Sequence, residues 1–170
     1  MTDRLATLER TESGGLIRFE RVFPNPIEDV WSALTEPERL ADWWPPFATN
    51  VRVDLREGGT MSFDWPDGPA LEFRFLRISR PTLLEHTHTS PGSWMRYELA
   101  ATADGTLLRA TYFVPEPDEA IGRGDIVGGH YGFDRLQAAL AGHPVPVDFE
   151  AFTALQRLYA EQGLASAQQG

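Results

Sequence analysis

His86 and His88 lie two residues apart in Leu84-Glu85-His86-Thr87-His88. On a β-strand, positions i and i+2 share a face, so the two imidazoles project the same way, together with Leu84. If Leu84 points into the core, both rings enter the interior, where an imidazole can bond a ligand or move a proton. In the opposite phase Glu85 is the inward group and the histidines are surface residues. Two same-face histidines could also begin a metal site, but such a site needs a third ligand and the sequence offers no obvious one.

Arg96 and Glu98 alternate with Met95, Tyr97 and Leu99. The plainer reading is a solvated face carrying cross-strand ion pairs, opposite an apolar one. The sharper reading has Arg96 anchoring a ligand carboxylate. The chain is also rich in aromatic residues, including Trp31, Trp43, Trp44, Phe47, Phe63, Trp65, Phe73, Phe75, Trp94, Tyr97, Tyr112 and Phe133. Most of these must simply pack the core. Several are expected to line a pocket for an apolar or aromatic molecule, with Trp31, Phe63, Phe73, Tyr97 and Tyr112 the candidate wall residues. No nucleophile elbow of the form Gly-x-Ser-x-Gly and no phosphate-binding Gly-x-x-x-x-Gly-Lys-Ser/Thr loop is present. Gly122-x-Gly124 does not follow a strand, so it gives no support to a nucleotide site. His143 sits in a Pro-flanked linker and receives no role. No cofactor is called for.

The elements that must position these residues follow from periodicity and turn signals. Leu16–Phe23 alternates as a first strand. Asn25, Pro26 and Glu28 read as an N-cap, a first-turn proline and a capping box, and Thr35, Pro37 and Glu38 repeat the arrangement, so two short helices are expected over 25–44. Strands over 51–55 and 61–65 flank Glu57-Gly58-Gly59, a hairpin signal. Further strands are expected over 71–78, 83–88, 93–101 and 107–114, the last pair joined at Ala103-Asp104-Gly105. Pro115-Glu116-Pro117 opens a loop. Asp125–Ala141 carries apolar residues near helical spacing and stops at Gly142. Asp148 caps a last helix reaching Glu161. Hairpin connections imply an antiparallel sheet. The fold class is therefore α+β, a helix-grip arrangement. A curved antiparallel sheet of about six to seven strands carries two short helices after strand 1, and a long C-terminal helix lies over the sheet and encloses a cavity. The domain division is a flexible lead-in over 1–14, the helix-grip domain over 15–142, a linker and extra helix over 143–163, and a tail over 164–170.

The 170 residues suit one domain with a sizeable core. The formal net charge of -10 argues against binding nucleic acid, which needs clustered Lys and Arg, and against adsorption to anionic membrane lipid. The absence of cysteine excludes disulfides, thiolate nucleophiles and Cys-bound zinc. No apolar run approaches the roughly 20 residues that cross a bilayer, and 1–15 lacks the layout of a signal peptide, so a cytoplasmic location is expected.

Four stretches, in order, resemble the START-like (Bet v 1-like) superfamily, in the branch related to the Hsp90 ATPase activator. They are the helix pair with Val30-Trp31 and Pro37-Glu38-Arg39-Leu40-Ala41-Asp42-Trp43-Trp44, then the hairpin Glu57-Gly58-Gly59-Thr60-Met61. The third runs from Arg80-Pro81-Thr82-Leu83-Leu84-Glu85-His86-Thr87 through Arg96-Tyr97-Glu98-Leu99 to Asp104-Gly105-Thr106-Leu107-Leu108. The fourth is Gly128-Gly129-His130-Tyr131-Gly132-Phe133-Asp134-Arg135-Leu136. The resemblance implies that the helix pair props up one end of a ligand cavity. It also implies that Gly129, His130 and Phe133 of the long helix face that cavity. Relatives usually carry Gly-Trp-His where this chain has Gly128-Gly129-His130. The substitution implies a roomier mouth near 122–132, unless the helix starts later, near His130.

The cavity residues expected on these grounds are Trp31, Phe63, Phe73, His86, His88, Tyr97, Tyr112, Gly129, His130 and Phe133, and the expected partner is a small apolar or aromatic ligand. An enzyme of cyclase, dehydratase or hydrolase type would instead need an inward acid–base pair such as His86 with Tyr112 or Glu85. An Hsp90 co-chaperone-like interaction module is the third reading the resemblance allows. The last helix is expected to pack back on its own sheet, with a homodimer contact as the alternative.

Overall fold

The computed structural model describes residues 4–166. Eight strands form one antiparallel sheet: β1 (Thr7–Thr11), β2 (Gly14–Phe23), β3 (Thr49–Val53), β4 (Thr60–Asp64), β5 (Leu71–Ser79), β6 (Leu83–Thr87), β7 (Trp94–Thr102) and β8 (Gly105–Val114). Their spatial order is β1-β2-β8-β7-β6-β5-β4-β3. Five helices complete the fold: α1 (Ile27–Thr35), α2 (Pro37–Leu40), α3 (Pro117–Arg123), α4 (Asp125–Leu140) and α5 (Phe149–Glu161). The architecture is the expected α+β helix-grip, with eight strands where about six to seven were read from the sequence.

The sheet has one dry face because its strands alternate. Ile17, Phe19 and Phe23 of β2 are buried, whereas Arg18, Glu20 and Val22 between them are exposed. Met95, Tyr97 and Leu99 of β7 and Leu108, Ala110 and Tyr112 of β8 continue the same inner layer. Helix α4 lies against it. Phe133 sits 5.1 Å from Phe19, 6.2 Å from Trp43 and 6.3 Å from Tyr97, ring centre to ring centre. Gly132 lets the backbone of α4 approach the indole of Trp44, since a Cβ there would lie 3.2 Å from the ring. Arg135 then ties the end of the helix pair to α4 by donating to the carbonyl oxygens of Trp43 (2.9 Å) and Asp42 (3.2 Å).

Several local expectations are corrected. The lead-in over 1–14 contains β1, whose Thr7–Thr11 pairs with Gly14–Arg18 of β2. It is a mostly exposed edge strand, so it shows little hydrophobic alternation. The loop expected after Pro115 holds α3, with Pro117 at its first turn and Asp118 and Glu119 behind it. Neither short-helix cap forms as expected. Pro26 is the N-cap of α1, and Asn25 Nδ2 instead donates to Asp29 Oδ2 (2.7 Å) and to the Leu140 carbonyl (2.9 Å), stitching the start of α1 to the end of α4. Thr35 stays inside α1 and donates to the Trp31 carbonyl (2.8 Å), leaving Glu36 to cap α2. Helix α4 begins at Asp125 after Gly124, whose φ of 81° breaks it from α3. It therefore does not start near His130, and both Gly128 and Gly129 are helical.

Candidate functional site

A hollow of about 450 Å³ opens between the sheet and the first half of α4. The segment after α2 supplies Trp43 and Trp44, the β4–β5 turn supplies Trp65, and β7 and β8 supply Met95, Tyr97 and Tyr112. His88 and Thr89 follow the end of β6. Gly128, Gly129 and Phe133 of α4 form the roof, Arg123, Gly124 and Asp125 its near corner, and Phe152 reaches in from α5.

Five of the ten expected residues, namely His88, Tyr97, Tyr112, Gly129 and Phe133, border this space. The other five do not. Trp31 is sealed beneath α1 at 2% exposure. Phe63 and Phe73 pack on each other at 5.9 Å in the core under β4 and β5. His86 is boxed in by Phe73 at 5.4 Å, Tyr97 at 5.8 Å and Phe75 at 6.4 Å. His130 lies one residue round α4 from Gly129, so it turns away from the hollow toward α5. There its Nδ1 lies 2.8 Å from the Tyr159 hydroxyl and its Nε2 3.3 Å from Asp134 Oδ2. The Tyr159 hydroxyl also accepts the Ala6 N–H at 2.7 Å, so one phenol joins the N-terminal segment, α4 and α5.

The phase of β6 is that with Leu84 and His86 inward. Glu85 lies on the opposite face, where Arg96 donates to it at 2.5 Å. Arg96 also covers the Trp94 ring at 4.8 Å. That guanidinium therefore serves a cross-strand pair outside the hollow and anchors nothing within it. The acid–base pairing of His86 with Tyr112 or Glu85 does not form.

Burial governs the electrostatics. It lowers His86 to about 4, against the opposing pull of the Thr87 carbonyl, 2.6 Å from Nδ1, and of nearby Glu85. Burial, and then the neighbouring His86, lower His88 to about 3. Both rings are neutral at neutral pH. Because a carbonyl only accepts, His86 carries its proton on Nδ1. Burial raises Tyr97, and raises Tyr112 despite the Thr89 hydroxyl 3.2 Å away, so both phenols stay protonated. At the rim, the Tyr112 hydroxyl donates to Asp125 Oδ2 (3.2 Å) and Arg123 donates to the same oxygen (2.8 Å). The outcome is an aromatic-walled space with its polar points gathered on one side.

Trp43, Trp44, Trp65, Thr89, Met95 and Phe152 border the hollow without having been named as its lining, whereas Arg123, Gly124, Asp125 and Gly128 fall in the 122–132 stretch expected as its mouth. Met95 could have been found from its shared phase with Tyr97. Phe152 gave no pointer to the hollow, because its helix was expected to pack on the sheet or at a homodimer contact. Among the described residues no group of three or more His, Asp or Glu side chains could hold a metal ion, and no helix is long and apolar enough to cross a membrane.

A sheet gripping a long helix over such a space defines the START-like (Bet v 1-like) class. Over residues 24–141 the chain matches the family described as "Activator of Hsp90 ATPase homolog 1-like protein", and it belongs to that family. Among solved structures it is similar to a conserved protein of unknown function, EF2215 from Enterococcus faecalis (TM-score 0.73, 21% identity, covering 95% of this chain and 92% of that one). It is also similar to CalU16 from Micromonospora echinospora (TM-score 0.70, 23% identity, covering 96% and 98%). A third likeness is to protein NE0264 from Nitrosomonas europaea (TM-score 0.62, 25% identity, covering 75% and 94%). A comparison with curated proteins returned no match.

Proposed function

We propose that the chain binds a small apolar or aromatic molecule in the hollow under α4. The observation that carries this reading is the wall itself. Trp43, Trp44, Tyr97 and Phe133 are large, stiff side chains that hold about 450 Å³ open without collapsing into it, within the size range of small-molecule sites. Apolar surface of this kind gains free energy when a ligand displaces water from it.

The test is a thermal-shift and native mass-spectrometry screen with planar hydrophobic compounds. It is run in parallel on the wild type and on Gly128→Trp, whose added side chain starts in open space beside the hollow. The wild type gains Tm and a bound mass with at least one compound, and Gly128→Trp gains neither. Equal responses in the two proteins, or none in the wild type, would sink the proposal.

A further inference from the structure

The polar fixtures inside the hollow indicate which aromatic molecule it takes. His88 presents a ring with two unlike nitrogens. Its Nδ1 is sealed from solvent with no hydrogen-bond partner among the described residues. Its Nε2 is not sealed and is bonded by no described protein group, so it opens on the space that His88 lines. A neutral imidazole has one N–H and one lone pair. A stranded buried N–H is rarer and more costly than a stranded acceptor, which puts the lone pair on Nδ1 and the proton on Nε2. The ring is held in place. Trp44 stacks on it at 5.8 Å, Tyr112 meets it edge-on at 4.7 Å, and Phe73 backs it at 5.0 Å. It is therefore a fixed donor aimed into an apolar chamber. The same chamber holds a second protonated group, since the Tyr97 hydroxyl has no protein partner among the described residues. At the rim, the Asp125 carboxylate is already engaged by Tyr112 and Arg123.

Resting on the reading of the hollow as a ligand site, we infer that it selects a planar aromatic molecule bearing a carbonyl, a ketone or quinone, whose oxygen accepts from His88 Nε2–H. A hydrocarbon of the same shape fills the walls but leaves that donor stranded. A carbonyl satisfies it at no cost in shape. The site thus discriminates by one hydrogen bond, on top of binding energy supplied by the aromatic walls.

The probes are fluorenone and fluorene, rigid isosteres that differ by C=O against CH2. Their dissociation constants are measured calorimetrically on the wild type and on His88→Phe, which keeps an aromatic ring against Trp44. The wild type binds fluorenone about fivefold to tenfold more tightly than fluorene, and His88→Phe binds the two alike. The infrared C=O stretch of fluorenone bound to the wild type moves to lower wavenumber than in hydrocarbon solvent. The ¹⁵N shifts of His88 show the proton on Nε2. The last two measurements need no variant, so a His88→Phe protein that fails to fold leaves the inference open to refutation. Equal binding of both probes by the wild type overturns the role of His88 and leaves the hollow standing as a ligand site. So does a carbonyl preference that survives in His88→Phe, an unshifted stretch, or a proton on Nδ1. Failure of both probes to bind the wild type overturns the ligand-site reading and this inference with it.

Discussion

The ring of Phe47 stacks on that of Phe149 at 5.8 Å and 21°, joining the loop after α2 to the first residue of α5. Both rings are otherwise exposed, at 51% and 67%. Phe47 also holds a φ of 68°, a left-handed conformation that a bulky residue adopts at a cost of about 1 kcal/mol or more. The contact bridges two segments next to the hollow, whose Trp44 and Phe152 lie three residues away on either side.

Phe149→Ala should therefore act locally. It costs about 1 kcal/mol or less in a chemical denaturation experiment, the range of an exposed aromatic pair. Amide exchange should accelerate at Phe47 and Ala48 and in the first turn of α5 while the sheet stays protected. Unchanged exchange in those two segments would count against a bridging role.

The two buried histidines make stability depend on pH in a defined window. Both carry pKa values below the ordinary 6.5, about 4 for His86 and about 3 for His88. The unfolded chain takes up protons that the folded chain refuses, so stability is complete above about pH 6.5 and falls as pH drops toward about 3. The loss is on the order of several kcal/mol for the pair. Urea midpoints measured from about pH 7.5 down to about pH 5 should fall in the wild type and fall less in His86→Phe. Parallel curves for the two proteins would show that other groups set the acid sensitivity.

The adjacent glycines of α4 should respond in opposite directions. At Gly128 an added Cβ meets nothing within 4 Å, so Gly128→Ala gains helix propensity and stabilises by up to about 1 kcal/mol. At Gly129 the Cβ would lie 2.6 Å from Phe19 Cζ, on a ring already wedged against Phe133. Overpacking there outweighs the propensity gain, and Gly129→Ala destabilises by about 1 kcal/mol or more. Thermal melts of the two single variants decide it, and a matching sign in both would contradict the packing described.

Tyr159→Phe removes a buried hydroxyl that accepts from Ala6 N–H and bonds His130 Nδ1. The orphaned Ala6 N–H costs about 1–3 kcal/mol. The loss should appear in the equilibrium denaturation midpoint, with faster exchange of the Ala6 amide and of α5. A variant as stable as the wild type would mean that the N-terminal segment and α5 are held by other contacts.

The strands of the inner sheet were readable because alternation and hairpin turns are local signals. Ile17 and Phe19, Phe73 and Phe75, and Met95 and Tyr97 declare their faces without help from the rest of the chain. Strand β1 was silent because an exposed edge strand buries almost nothing. The site was only half legible for a related reason. Alternation says that His86 and His88 share a face, but neither which face nor that the layer is closed over His86 and open over His88. That difference depends on where Phe73, Phe75 and Tyr97 converge, which is a property of the assembled sheet. His130 was misread because a family motif placed it beside Gly129, whereas one step of about 100° along a helix turns it to another neighbour. The apparent cap at Asn25 failed for a tertiary reason. Its amide is better used on Leu140, 115 positions away, than on its own helix.

Helix α5 lies beyond residues 24–141, yet its Phe152 forms part of the hollow's boundary. The frame that makes the space and one of the side chains that closes it are thus written in separate stretches of sequence. No strand register passes through α5, and Phe152 lies two turns from Tyr159, whose hydroxyl carries the helix's tie to Ala6 and His130. Under the proposed binding role, position 152 is a dial for the size of guest that can be turned from outside the frame of the vessel.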